Sequence, residues 1–274
     1  MTDLPFLLRL VDDPSPRVAS KVAERLLAYG PQVWREIEEQ QVPLSDSQRM
    51  ALETLFVFPA PTYDENSTDR LWQEWGELGA TPGEIAYLER GLFALASWQS
   101  GADVSERGAH LLDRLATEFR AFGDARDALA LAQFLFDFCG LRGAPPTEFY
   151  EPRNSNLLFV LEEGSGLPIS LCCIFILVGA RVGLRIEGCN FPGHFLTRDS
   201  RLQRVFDPYN RGQMLSAREV AILEKAAPGE MRSAATAREI IARVLRNLSV
   251  AYHHNGDTEA SGLMLSLLRA MDGD

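Results

Sequence analysis

The sequence has no excess of basic residues. Its 274 residues carry 27 Lys plus Arg against 38 Asp plus Glu, a net charge of −11, with a pI of about 5.0. A general nucleic-acid binder needs a basic surface to displace counterions, so that class is excluded. Long apolar runs are also missing. The longest, Leu171 to Ala180, falls far short of the ~20 residues that a membrane span needs. The opening MTDLPFLLRLVDDP puts no basic segment ahead of its apolar residues and is broken by Arg9 and Asp12. It does not read as a signal peptide, and a cytoplasmic protein is expected. Cysteine is scarce: Cys139, Cys172, Cys173 and Cys189, with no CxxC pair. Neither a zinc site nor a redox motif is predicted. The adjacent Cys172 and Cys173 would point about 100° apart on a helix.

What is present is mostly helix. The hydrophobic fraction of 46% and charged fraction of 24% fit an ordinary globular chain able to bury a core. After the DDPSP turn, Val18, Val22, Leu26 and Leu27 recur at helical spacing, and Gly30 with Pro31 ends the run. The segment resembles one HEAT-type helical repeat, and Ser45 to Phe56 echoes it weakly. Two units at irregular spacing do not make a solenoid, and amphipathic helices closing a larger core explain them equally. Pro59, Pro61 and Pro82 bracket a segment whose Leu71, Trp72 and Trp75 fit a short helix, with tryptophans that seal a core.

Pro82 opens a helix through Ile85, Leu88, Leu92 and Leu95. Another is predicted from Ser105 to Phe122, striped by Leu112, Leu115 and Phe119. Gly123 ends it, and Asp124 can cap a helix from Ala125 to Phe138 that is apolar nearly all round. Past residue 215 come a short helix to Ala226 and a capping-box start at Thr236 and Glu239. The helix begun there, with the one capped by Asp257, resembles a tetratricopeptide-type hairpin that needs the rest of the chain to cover its apolar face. His110 reads as structural. His253 and His254 complement a helix C-terminus.

Between Tyr150 and Asn210 the pattern changes. Asn154, Ser155 and Asn156 are short polar residues in a row. They make either a structural turn or a loop that lines a cleft and supplies donors. Pro168 suits the first turn of a helix, and Ile169 to Val182 is apolar apart from Ser170, Gly179 and Arg181. Such a helix is central, packed on a sheet. Its N-terminus offers free N–H groups and a positive dipole end, which favour a nucleophile. Ser170 and Cys172 are the candidates. Strands are predicted over Leu184 to Cys189, His194 to Arg198 and Gln203 to Asp207, with a turn at Pro192 and Gly193 and a hairpin at Asp199 to Arg201. Antiparallel pairing can set His194 beside Asp207. An aspartate on one imidazole nitrogen leaves the other as a base.

YEPRNSNLLFVLEEGSGLPISL, GCNFPGHFLTR and FDPYNRGQMLS together resemble the bacterial SirB-type transglutaminase-like core proteins. The resemblance covers roughly Pro82 to Met271. It implies an α+β, helix-rich fold: a papain/transglutaminase-like core with a small antiparallel sheet packed on a central helix. Residues 1–80 are then a helical, HEAT-like N-terminal region, 81–215 the core with its leading helices, and 216–274 a tetratricopeptide-like tail. The triad histidine falls on His194 and the aspartate on Asp207. In active transglutaminases a cysteine opens the central helix, and here that position holds Pro168 to Ser170. Cys172 comes about a turn later and is expected to point elsewhere.

The first functional expectation is therefore a binding or regulatory module with a degenerate catalytic site and a protein or peptide partner. The alternative is an acyl-transferring or amide-hydrolysing enzyme using Ser170 or Cys172 with His194 and Asp207. The third is a purely structural His–Asp pair. No cofactor or metal is expected.

Overall fold

The computed structural model describes residues 3–13, 15–29, 33–40, 42–57, 65–122, 127–191, 194–229 and 233–272. The expected turn residues Pro192 and Gly193 and the expected cap Asp124 lie outside these. The chain forms two compact units, 1–64 and 65–274. Neither division expected from sequence, near residue 80 or near 215, coincides with this boundary.

In the first unit the helices Leu4–Leu8, Pro16–Tyr29, Val33–Glu39 and Asp46–Val57 enclose Leu4, Leu8, Val22, Leu26, Val33, Ile37 and Leu52. The predicted spacing of Val22 and Leu26 supplies the buried stripe of the second helix.

In the second unit the helix Glu65–Leu78 comes first. Leu71, Trp75 and Leu78 are its buried face, and the Trp75 indole N–H donates to the Leu267 carbonyl at 3.2 Å. Trp72 lies half exposed. The helix Ser105–Phe122 has its predicted limits. The next begins at Ala128, capped by Asp127, whose carboxylate accepts from Ala130 N at 2.9 Å. It continues as a π-turn over Gln133–Phe138. That widened turn leaves Phe138 exposed, although Phe134, Leu135 and Phe136 are buried.

Two short parallel strands, β1 (Arg142–Gly143) and β2 (Ser165–Gly166), precede the central helix Pro168–Arg181. Every residue from Ile169 to Gly179 in that helix is buried. Pro168 at its first position costs no hydrogen bond there. At its other end the Arg181 guanidinium complements the dipole and meets Glu89 at 2.6 Å and Asp113 at 2.7 Å.

The sheet follows as an antiparallel meander: β3 (Ile186–Cys189), β4 (Leu196–Asp199), β5 (Val205–Asp207) and β6 (Gln213–Met214). Gly188, Thr197 and Phe206 stand level in the register. On this face Phe206 meets the central-helix Phe175 edge to face at 5.6 Å. A Cβ on Gly179 would come within 2.8 Å of Ile186, so the glycine sets how closely β3 approaches the helix. The opposite face carries Cys189, Leu196 and Val205, covered by Val220 and Leu223 of the helix Ala217–Ala226. Both faces of the small sheet are thus buried.

The tail helices Ala237–His254 and Thr258–Asp272 pack on each other and on the core. The predicted capping box at Thr236 and Glu239 is formed. Tyr252 lies edge to face with Trp98 at 5.9 Å and accepts a hydrogen bond from Gln99 at 2.9 Å. The apolar stripe of the hairpin is therefore covered by the helix Glu84–Ser100. This is an α+β, helix-rich fold with a small antiparallel sheet on a central helix.

Candidate functional site

The polar residues of interest gather at one end of the sheet. β3 ends at Cys189, and the chain turns: Phe191 N donates to Cys189 O at 3.0 Å, and His194 N donates to Phe191 O at 3.1 Å. His194 therefore closes the turn, and β4 begins two residues later than the sequence predicts. The β4–β5 register places Thr197 opposite Phe206. Carried back along the ladder, it sets His194 level with Tyr209 and two pairs from Asp207. The rings of His194 and Tyr209 meet edge to face at 6.5 Å. The Tyr209 hydroxyl is anchored on the Ala144 carbonyl at 2.8 Å.

His194 Nε2 lies 3.0 Å from Asp207 Oδ2. The other carboxylate oxygen, Oδ1, accepts from Asn210 N at 3.2 Å. Asp207 is thus held from both sides. It favours the imidazole tautomer with the proton on Nε2, which leaves Nδ1 as the basic nitrogen. The histidine side chain is 32% exposed and the aspartate 15%, so solvent or a ligand can reach the ring.

The two candidate nucleophiles have different surroundings. The Ser170 hydroxyl donates to the Asn154 carbonyl at 2.8 Å, and the residue is buried. Cys172 is expected from sequence to point away from the position that opens the helix. Residue 172 sits one helical turn after Pro168, on the same face. Its thiol donates to the Phe195 carbonyl at 3.4 Å, immediately before β4. It is fully buried. Burial pushes the Cys172 thiol well above its ordinary pKa, and Cys173, Asp207 and Cys189 push the same way. The one opposing influence is Arg243.

Asn154, Ser155 and Asn156 are all buried. The Asn154 side chain donates to Glu148 O at 2.5 Å, and its carbonyl also accepts from Leu167 N at 3.1 Å. Asn156 caps the helix Leu157–Glu163 by accepting from Phe159 N at 3.0 Å. Two of these three residues build backbone: they fix the start of one helix and the lead into the central helix. Among the described residues the Ser155 hydroxyl has no hydrogen-bond partner, and no group of His, Cys, Asp and Glu could hold a metal.

Arg243 is a residue that the sequence reading missed. It projects from the first tail helix and reaches Asn190 Oδ1 and the Phe191 carbonyl, the latter at 3.0 Å. Its guanidinium lies over the Phe195 ring, 5.4 Å from the centroid. Phe191 O therefore accepts from both Arg243 and His194, and the turn that carries His194 is tied to the tail. Burial lowers the Arg243 pKa. The sequence signal was present: an arginine between Ile240 and Val244 on a buried stripe.

The sequence model of the Transglutaminase-like superfamily matches residues 106–246. The chain belongs to that superfamily. The match contains the central helix, the whole sheet, His194, Asp207 and Arg243. A UPF0162 protein of Xylella fastidiosa (strain Temecula1) is 39% identical over 139 residues, 45% of this chain and 48% of its own length. A UPF0162 protein of Pseudomonas aeruginosa is 28% identical over 164 residues, 58% of this chain and 57% of its own. F-box only protein 21 of Mus musculus is 28% identical over 86 residues, 28% of this chain and 14% of its own. The chain spans about half the length of the bacterial relatives. No solved structure matches. Within this transglutaminase-like core, among the described residues, no helix is long and apolar enough to cross a membrane.

The buried thiols make stability depend on pH. Burial pushes Cys173 up to about 12 and Cys189 up to about 11, whereas thiols of an unfolded chain ionise near ~8.5. The folded state keeps these protons at a pH where the unfolded state has lost them. Their contribution is complete below ~8.5 and is lost as pH rises through the folded values. Unfolding free energy by urea titration should fall by about 2 kcal/mol per thiol between about pH 8 and pH 10. The double variant Cys173→Ala/Cys189→Ala should reduce that slope, leaving the part due to Cys172 and Cys139, whose thiols burial also raises.

Proposed function

We propose that this chain is a binding or regulatory module built on a transglutaminase-like core whose catalytic site is degenerate. One observation carries this reading. The His194–Asp207 pair is formed and reachable, while both candidate nucleophiles are enclosed and committed to backbone carbonyls. General-base catalysis needs the base within hydrogen-bond reach of the proton that it removes, and a nucleophile with access to substrate. A thiol whose pKa is raised by burial is inert at neutral pH.

The quoted motifs ally the chain with the SirB-type proteins, and the tail hairpin with tetratricopeptide-type units. Both suit a role in the cytoplasm. The partner is a protein or peptide. A net charge of −11 disfavours nucleic acid and anionic membrane surfaces.

A second reading has its own support. Cys172 faces the start of β4, next to His194 in sequence, and Asp207 acts on it electrostatically. If the core opened enough to admit substrate, Cys172 would attack an acyl carbon. His194 would take the thiol proton and pass it to the departing amine as the C–N bond of the amide breaks to leave a thioester, and Asp207 would orient the imidazole. Ser170 would have to leave the Asn154 carbonyl to replace it.

Electrophilic probes separate the two readings: a chloroacetamide for thiols and a fluorophosphonate for hydroxyls, applied to the native protein and to His194→Ala. The binding reading predicts no labelling at Cys172 or Ser170 that depends on His194. Labelling at either residue that disappears in His194→Ala establishes the enzyme.

A further inference from the structure

Among the described residues, the outer edge of β3 carries backbone groups without a hydrogen-bond partner. Asp199 N donates to Arg204 O, and Asp199 O accepts from Gln203 N, both at 2.8 Å. The backbone of Asp199 is therefore turned away from β3. Asp199 is the partner of Ile186 in the register. In an antiparallel ladder such a pair exchanges no hydrogen bonds, so the N–H and C=O of Ile186 point to the open side. Those of Gly188, two residues on, point the same way. Its carbonyl confirms this, since it accepts from Ala235 N at 2.8 Å.

That single bridge is as far as the chain's own segment goes. One step further along the edge, Ala237 stands level with Ile186. Ala237 instead begins the first tail helix, and its N–H donates to the Glu84 carboxylate at 2.5 Å. Ile186 is only 6% exposed. A backbone N–H and C=O at so buried a position without partners are costly, and native structures rarely leave them so.

Ile186 and Gly188 line a cavity of about 690 Å³ on this side of the strand. Ile85, Leu88, Ile176 and Ile240 form its apolar walls. Glu84, Glu187 and Arg185 stand around it. Glu187 is paired with Arg198 at 2.7 Å, which leaves the Glu84 carboxylate, bonded to the Ala237 N–H, as the acidic group without a cationic partner among these three. A donor and an acceptor at strand geometry, beside an apolar recess, are what a peptide in extended conformation pairs with when it adds to a sheet edge.

We propose that this groove binds an extended peptide segment of a partner protein. The peptide continues the sheet at Ile186. It places an aliphatic side chain in the cavity and a basic residue near Glu84. The site is on the edge strand and does not depend on what His194 does.

The test uses the full chain, labelled with ¹⁵N, and a capped pentapeptide of alternating valine and threonine between two lysines. The Ile186 and Gly188 amide resonances should shift and saturate. N-methylating the central peptide nitrogens removes the pairing donors while keeping the apolar groups, and should weaken binding at least about tenfold. Ala234→Trp, at an exposed lining position, should weaken it comparably while the rest of the spectrum stays native. Three results would overturn the proposal. One is the absence of saturable shifts at these two amides. Another is equal binding of the N-methylated peptide, which reduces the groove to an apolar pocket. The last is an Ile186 shift that follows protein concentration alone, which makes the occupant a second copy of this chain.

Discussion

Phe175→Ala should lower the unfolding free energy of the 65–274 unit by about 3–5 kcal/mol. Phe175 is fully buried in the middle of the central helix. Its ring is met edge to face by Phe136 at 5.7 Å and by Phe206 at 5.6 Å. The substitution removes the transfer energy of the ring and both aromatic contacts, each worth ~0.5–1.5 kcal/mol beyond area burial. It also leaves a cavity between two rings that cannot both move in. For a unit of this size the melting temperature should fall by roughly 10 °C. Phe175→Leu keeps much of the volume and should cost clearly less. A loss under about 1 kcal/mol for the alanine variant would mean that the helix–sheet contact is not the core of this unit.

The same substitution bears on the site. Phe206 immediately precedes Asp207, and β5 has only three residues. Removing the ring beneath Phe206 loosens the strand that delivers the carboxylate to His194. Stability and site geometry are therefore coupled through one contact.

Some of this was legible in the sequence. The apolar run after Pro168 could only be a central helix. Proline and glycine punctuation, with alternating residues between, located β3, β4 and β5. That alternation also made a His194–Asp207 pair foreseeable from strand logic. What escaped depended on contacts between distant segments. Nothing local says that the Ser170 hydroxyl would be taken by the Asn154 carbonyl, sixteen residues earlier in the chain. Nothing local ties Arg243 to the Phe191 carbonyl either. The polar run Asn154 to Asn156 reads equally as a loop or as a set of caps, because the same side chains serve both. The orientation of Cys172 was within reach. Four residues after Pro168 is one turn of helix, so the thiol returns to the face where the helix begins. It returns one layer deeper, beneath the site rather than in it.

That depth is the centre of the account. Cys172 and Cys173 are neighbours on one helix, both fully buried and both with raised thiol pKa values. Cys173 has no part in the His194–Asp207 site and serves as an internal standard. If Cys172 is simply a core residue, an alkylating reagent reaches both through the same unfolding event. Native stabilities of ~5 kcal/mol or more then slow modification by a factor of at least ~10³ relative to the unfolded chain. The direct measurement is the rate of iodoacetamide modification at each cysteine, resolved by peptide mass spectrometry, in wild type and in His194→Ala. Cys172 and Cys173 should react together, slowly, and at rates that rise only in step with urea-induced unfolding. Rapid modification of Cys172 ahead of Cys173 in native buffer, lost in His194→Ala, would contradict it and identify Cys172 as an activated nucleophile.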